Sequence, residues 1–285
     1  MVLFNKRKPK VSCVTVTTGR LEQLYQAVRC YVQQTYTEKE LVIVSQGNKV
    51  INEQIRSFVN QCSRKDILFV EAPENLSLGA MRNLSVELTT GEIICQWDDD
   101  DLYHPYRIQT QVSKMDIESA DVVLFTSFLK YFKNTREMYY CDWSKDDDRT
   151  HRFLCGSVMF KKFIFHHCQN YLYPEHGPQS VVEEDLSALE RMTLHGKVVG
   201  LENEGHCYVY VYHGNNTYDL AHHQLPLTSK DRKILLSSNE LIAKRKLIEQ
   251  TLDVSGIDDI IHVKSLNELA FIYEPSRTSN ESSKT

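Results

Sequence analysis

The chain has 285 residues, 41% hydrophobic and 25% charged, with a formal net charge of -5. That composition is ordinary for a globular protein, suits one large α/β domain or two small ones, and carries no global basic footprint for nucleic acid. No run approaches the ~18 apolar residues of a membrane span, and the basic start MVLFNKRKPK lacks the apolar stretch of a secretory signal.

Residues 11 to 17 (VSCVTVT) are β-branched and apolar, which predicts a buried strand. Apolar residues at 21, 24, 28, 31 and 32 then predict a helix over 21 to 34. Strand, helix and strand follow over 40 to 45, 51 to 62 and 67 to 71, and a helix over 80 to 88. Residues 92 to 97 predict a fourth strand, which runs straight into Asp98, Asp99, Asp100 and Asp101. Strands alternating with helices at this spacing mean a parallel sheet with helices on its faces. Beyond Pro105 the pattern predicts a helix over 106 to 115, strands over 121 to 132, 137 to 143 and 155 to 160, and a helical stretch over 161 to 170. A Pro- and Gly-containing loop over 171 to 182 leads to a helix over 183 to 194. Strands are expected over 197 to 201 and 207 to 212, and a helix over 228 to 252. The last ten residues are Ser-rich and polar, the composition of a disordered tail.

Eight cysteines stand at 13, 30, 62, 95, 141, 155, 168 and 207 with no C-x-x-C pair, so a zinc ribbon or thioredoxin-like site is unsupported. Several fall inside apolar runs, where a free thiol acts as a small hydrophobe; a reducing, cytoplasmic compartment is expected.

The chemistry centres on the aspartates. Four like charges at one strand end repel one another and resist ionisation unless paired. A divalent cation such as Mg2+ or Mn2+ resolves that conflict with hard oxygen ligands. A solvated acidic turn is the bland alternative. Placement at the carboxyl end of an apolar strand, where open α/β sheets bind ligands, favours the metal. Asp146, Asp147 and Asp148 lack such a strand and fit a solvated loop.

Three other stretches carry chemical potential. At 78 to 83 (LGAMRN), Gly79 permits close backbone approach, and the helix start offers N–H groups to an anion. Arg82 could reach a phosphate or hold the aspartate loop. Glu183, Glu184 and Asp185 either stabilise their own helix dipole, at ~0.3–1 kcal/mol per charge, or supply a general base. His213 ends an apolar strand and is a candidate third metal ligand, although a lone His is more often a structural hydrogen bonder. The pairs His166-His167 and His222-His223 are expected to be surface or core residues, because adjacent side chains rarely point the same way.

Taken in order, VSCVTVTTGR with QQTYTEKELVIVSQG, LSLGAMRN, GEIICQWDDDDLYHPYRI and VEEDLSALERM resemble glycosyltransferase family 2 on the GT-A fold, with weaker matches at GSVMFKK and YVYHGNNTY. The resemblance implies a Rossmann-like mixed central sheet flanked by helices, with a C-terminal helical extension. The corresponding domains would be a GT-A domain over 1–225, an extension over 226–273 packed on it, and a tail over 274–285. It implies an inverting transfer of sugar from a nucleotide-diphosphate sugar, UDP-sugar being the common donor, to a hydroxyl on a saccharide, lipid-linked or other acceptor. Residue by residue, Asp98 and Asp100 would form the Asp-x-Asp pair that holds Mn2+ or Mg2+, with His213 completing its shell. Asp99 would lie near the donor's ribose or sugar, and Thr17 and Arg20 would border base and ribose. Gly79, Arg82 and Asn83 would line the nucleotide pocket. Asp185 would be the catalytic base, with Glu184 beside it. Where many members carry an acidic residue against uracil, this chain has Ser45-Gln46-Gly47, leaving Gln46 to hydrogen-bond the base.

Two competing classes fail on the first strand. A haloacid-dehalogenase-type phosphatase needs an Asp right after it, and a sugar nucleotidylyltransferase needs a Gly-rich signature there; neither is present. A non-catalytic nucleotide-sugar-binding module stays open. So does a transferase acting on a hydroxylated nucleic-acid base. For the latter only the basic segment 230 to 246 speaks, and it serves equally as a polar helix face.

Overall fold

The computed structural model describes residues 7–144, 152–228, 235–266 and 268–275. In chain order its elements are β1 (Val11–Thr17), α1 (Leu21–Val32), β2 (Lys39–Ser45), α2 (Lys49–Gln61), β3 (Ile67–Glu71), α3 (Leu78–Glu87), β4 (Ile93–Gln96), β5 (Leu102–Tyr103), α4 (Arg107–Ile117), β6 (Val122–Phe125), β7 (Ser127–Phe132) and β8 (Glu137–Asp142). They continue as β9 (Met159–Lys161), α5 (Phe163–His167), α6 (Glu184–His195), β10 (Val198–Leu201), β11 (Tyr208–Tyr212), α7 (Leu220–Thr228), α8 (Ser238–Ser255), β12 (Ile261–Lys264) and β13 (Leu269–Tyr273).

All seven residues of β1 are buried, because helices cover both faces of the sheet it centres. Val11 and Cys13 enter one hydrophobic core, Val14 a second and Val16 a third. The sheet has seven strands in the order β10-β6-β9-β4-β1-β2-β3. Strands β4, β1, β2 and β3 run parallel, as the alternation predicted, and β9 is antiparallel between β4 and β6. A second sheet of six strands is ordered β13-β12-β8-β7-β11-β5.

The second sheet departs from the sequence expectation. Residues 121 to 132 form two strands, not one. The chain crosses at Thr126, whose N–H and hydroxyl both bond Leu201 O and whose carbonyl accepts the Trp143 N–H. β6 stays in the first sheet and β7 joins the second. The apolar, β-branched run continues through the crossing, so its pattern carries no break. Residues 155 to 160 likewise form a 3₁₀ turn (Cys155–Ser157) before β9. The C-terminal extension is helical over α8, which a Ser237/Glu240 capping box opens and Gly256 closes at φ 70°. It then adds β12 and β13, with β12 parallel to β8. Ile261 and Val263 are buried and His262 exposed, the period of two that a half-buried strand requires. The acidic run 146 to 148, part of the basic segment (230 to 234) and the tail from 276 lie outside the described residues.

One consequence positions the site. β4 belongs to the first sheet and β5 to the second. Asp98 to Asp101 are the crossing between them.

Candidate active site

The crossing is held from behind. Thr15 Oγ1 of β1 donates to Trp97 O at 2.6 Å. Arg107, at the start of α4, is fully buried and donates to Gln96 O at 2.8 Å. Its guanidinium lies 4.9, 4.4 and 4.8 Å from the ring centres of Trp97, Tyr103 and Tyr208. An aromatic box around a desolvated cation gives each contact more weight than at a surface. Asp101 points back into this frame, accepting from Tyr208 Oη at 2.6 Å and from the Val211 N–H at 2.9 Å. It ties β5 to β11.

The other three aspartates face cations. Arg20, in the loop after β1, binds both Asp99 and Asp100, the latter at 2.7 Å. His213 Nε2, at the end of β11, lies 3.1 Å from Asp100 Oδ2. Arg82 of α3 binds Asp98 at 2.9 Å and Glu184 at 3.0 Å. Two arginines and a histidine therefore serve three aspartates and a glutamate. Burial and the neighbouring Asp100 push Asp99 up to about 7. Burial, then Asp100 and Asp98, push Asp101 well above the carboxylate range. Burial opposes ionisation of Asp100 too, but His213 and Arg20 hold its pKa below the ordinary value. Asp99 Oδ2 is buried without a partner. Excess negative charge, an orphaned carboxylate oxygen and a neighbouring imidazole fit a hard divalent cation such as Mn2+ or Mg2+.

Across from the aspartates stands the first turn of α6. Glu183 precedes it at φ 65°, a left-handed backbone uncommon outside glycine and often found where function holds it. The Glu183 N–H donates to Tyr218 Oη at 3.1 Å. Asp185 is partly covered, and its Oδ1 accepts the Leu186 N–H at 2.8 Å. Burial, then the charge of Glu184, push Asp185 up to about 7 against the pull of Arg82. Both walls open on one cleft of about 760 Å³, which Thr17, Arg20, Gln46, Arg82, Asp98, Asp99, Asp100, Glu184 and Asp185 all line. That size suits a nucleotide-sized ligand. Gln46 sits at its rim, its amide on Pro73 O at 3.1 Å.

Two residues expected in the nucleotide pocket are absent from that lining. A Cβ on Gly79 would stand 1.8 Å from Pro174 O, so this glycine permits α3 to pack against the 171 to 176 loop, not against a ligand. Asn83 holds the same loop, donating to Tyr173 O and Glu175 Oε1 at 2.8 Å and accepting the Tyr173 N–H at 2.9 Å. Both positions serve the architecture of the opposite wall.

The cleft also holds residues that the motifs did not mark. Tyr208 and Tyr210 of β11 line it, with Tyr218 and His222 stacked 4.0 Å apart at 16°. The Tyr-Val-Tyr-Val-Tyr alternation of β11 was the available signal: a period of two puts Tyr208 and Tyr210 on one face. His222 therefore lines the cleft, whereas His223 is buried beside Lys130.

The fold resembles those of known structures. TarS of S. aureus, in complex with UDP-GlcNAc, matches with a TM-score of 0.60 at 15% identity, covering 86% of this chain and 72% of that one. A mannosyltransferase of Pyrobaculum calidifontis, in complex with GDP-Man and Mn2+, matches with a TM-score of 0.54 at 13% identity, over 74% of this chain and 59% of that one. These likenesses define the fold as GT-A. In sequence, an uncharacterised glycosyltransferase of Methanocaldococcus jannaschii is 32% identical over 128 residues, 44% of this chain and 43% of that protein. The amylovoran biosynthesis glycosyltransferase AmsE of Erwinia amylovora is 25% identical over 136 residues, 47% of this chain and 46% of that protein. The chain spans less than half the length of these curated relatives in the matched regions. The model of glycosyl transferase family 2 matches residues 12–172, more than half of the 285 residues, and the chain belongs to that family.

Proposed function

We propose that the chain is a metal-dependent, inverting glycosyltransferase that moves a sugar from a nucleotide-diphosphate sugar, a UDP-sugar in the first instance, to an acceptor hydroxyl. One observation carries this: Asp185, with a pKa raised to about 7, and the aspartate crossing line the same cleft. A carboxylate poised there is matched to general-base work near neutral pH.

In the step, the acceptor oxygen forms a bond to the anomeric carbon from the face opposite the diphosphate. The bond from that carbon to the diphosphate oxygen breaks, and its electron pair leaves with the nucleotide. Asp185 takes the hydroxyl proton. Arg82 holds Asp98 and Glu184 in place, and Arg20 does the same for Asp99 and Asp100. Thr17 and Arg20 border the base and ribose, Asp99 lies near the ribose or sugar, and Gln46 offers an amide to the base. Holding both substrates in line supplies much of the rate. Asp98, Asp100 and His213 would hold a bound Mn2+ or Mg2+, which neutralises charge collecting on the departing diphosphate.

The acceptor is a saccharide, lipid-linked or other hydroxyl compound. No helix among the described residues is long and apolar enough to cross a membrane. A nucleic-acid acceptor draws no support from the described part of the basic segment. Lys244 bonds Asn203 O, and Arg245 pairs with Glu249 and lies over Phe271. Eight free thiols support a reducing, cytoplasmic location.

A screen of nucleotide sugars by thermal shift and donor hydrolysis, with and without Mn2+, tests the proposal. Metal-dependent stabilisation and slow hydrolysis with one donor are expected. Equal turnover in excess chelator would sink the metal requirement, and binding without any turnover would favour a non-catalytic module.

A further inference from the structure

Three side chains unused by the transfer chemistry converge where α8 meets the second sheet. His104 follows β5, and His206 and Cys207 belong to the 3₁₀ turn (Gly205–Cys207) that leads into β11. Their relative exposures are 0%, 5% and 1%, and none of them lines the cleft. One ligand atom from each lies within 4.8 Å of the other two. His206 Nε2 is 3.6 Å from Cys207 Sγ and 3.6 Å from Glu204 Oε2. Such separations match the edge of a tetrahedron with zinc bonds of ~2.0–2.3 Å.

Core packing accounts for part of this. The His104 and His206 rings meet edge to face at 5.1 Å. It leaves His104 Nε2 buried with no partner at hydrogen-bond distance, beside the Gln250 side chain that its ring also meets. Native interiors seldom leave such atoms unserved.

We propose that His104, His206 and Cys207, with an oxygen ligand in the fourth position, form a structural Zn2+ site distinct from the aspartates. Thiolate and imidazole donors select Zn2+ over Mn2+ or Mg2+. Loading removes the Cys207 proton. It also moves the His104 hydrogen from Nε2 to Nδ1, which now accepts the Tyr106 N–H at 3.1 Å, so that amide contact is given up. The site would clamp β5, which leaves the aspartate crossing, to β11, which carries Tyr208 and Tyr210. It would also hold α8, whose Thr251 hydroxyl already donates to His206 O at 2.8 Å.

The test uses the full chain, stripped by chelator and titrated with Co2+. A thiolate-to-cobalt charge-transfer band is expected, displaced by an equivalent of Zn2+ and not by excess Mn2+, with a higher Tm in the zinc form. Cys207→Ser should abolish the band. His104→Gln should weaken zinc binding at least about tenfold, the lower end of what a lost outer partner alone costs a metal site. No band, or a band retained in Cys207→Ser, overturns the proposal. If Cys207→Ser does not fold, zinc-edge absorption of the wild-type chain decides: one sulfur with nitrogen and oxygen scatterers supports the site, and oxygen and nitrogen alone refute it.

Discussion

As the proposed base, Asp185 carries two opposed demands, ionisation for proton transfer and burial that resists it. With its pKa near 7, the carboxyl is neutral below that pH and cannot accept a proton. kcat/KM is therefore expected to fall about tenfold per pH unit below about 7 and to level off above, which a pH–rate profile checks. Asp185→Asn should keep donor binding in calorimetry and lose transfer by ~10²–10⁴-fold. The same shift sets a stability effect of opposite sign. A carboxyl whose folded pKa is raised stabilises the fold relative to its ionised state only at low pH, and that advantage is lost as pH rises towards the folded value. Asp185→Asn should thus melt higher than wild type at pH 8 and level with it near pH 3. Arg82 makes the complementary case, because it stands between Asp98 and Glu184 with 10% side-chain exposure. Arg82→Leu leaves two poorly solvated carboxylates without their cation and should cost ~3 kcal/mol in urea unfolding. The residue types at these positions were legible as chemistry; the pairing of Arg82 with Glu184, 102 positions away, was not, since it exists only once α3 and α6 face each other.

At the scale of elements, the same LGAMRN stretch separates motif from role. Arg82 faces the cleft, while Gly79 and Asn83 face the 171 to 176 loop. Sequence gave a helix start with a glycine, and both a phosphate and a packing neighbour ask for that. The 1.8 Å approach to Pro174 O decides for packing. Gly79→Ala should therefore destabilise by ~1–3 kcal/mol through overpacking, measured by urea midpoint, with donor affinity changed only as far as the opposite wall shifts. Helix α8 offers a smaller, cleaner case. Ser237 accepts the Glu240 N–H, and Glu240 accepts the Ser237 N–H. Ser237→Ala should lose ~1 kcal/mol with catalysis unchanged.

For the whole molecule, the question is whether 1–225 and the extension are separate. β12 pairs along β8, and α8 buries Leu241, Ile248 and Leu252 in the main core beside α1. A chain ending at 225 would expose that apolar surface and the edge of β8. We expect it to melt without cooperativity in a circular-dichroism scan; a sharp transition would mark 1–225 as an independent domain. The sequence by itself determined the parallel half of the first sheet, because fully apolar strands and amphipathic helices at short spacing admit few other arrangements. It also determined that four adjacent aspartates at a strand end need countercharge, since their repulsion is local. Only the tertiary structure decided that these aspartates are the crossing between two sheets, that both Asp101 oxygens are taken by Tyr208 and Val211 of β11 while Asp98, Asp99 and Asp100 pair with Arg20, Arg82 and His213, and that Asp185 lies opposite. Those facts depend on strand order and on contacts more than a hundred residues apart, and no periodicity along the chain encodes either.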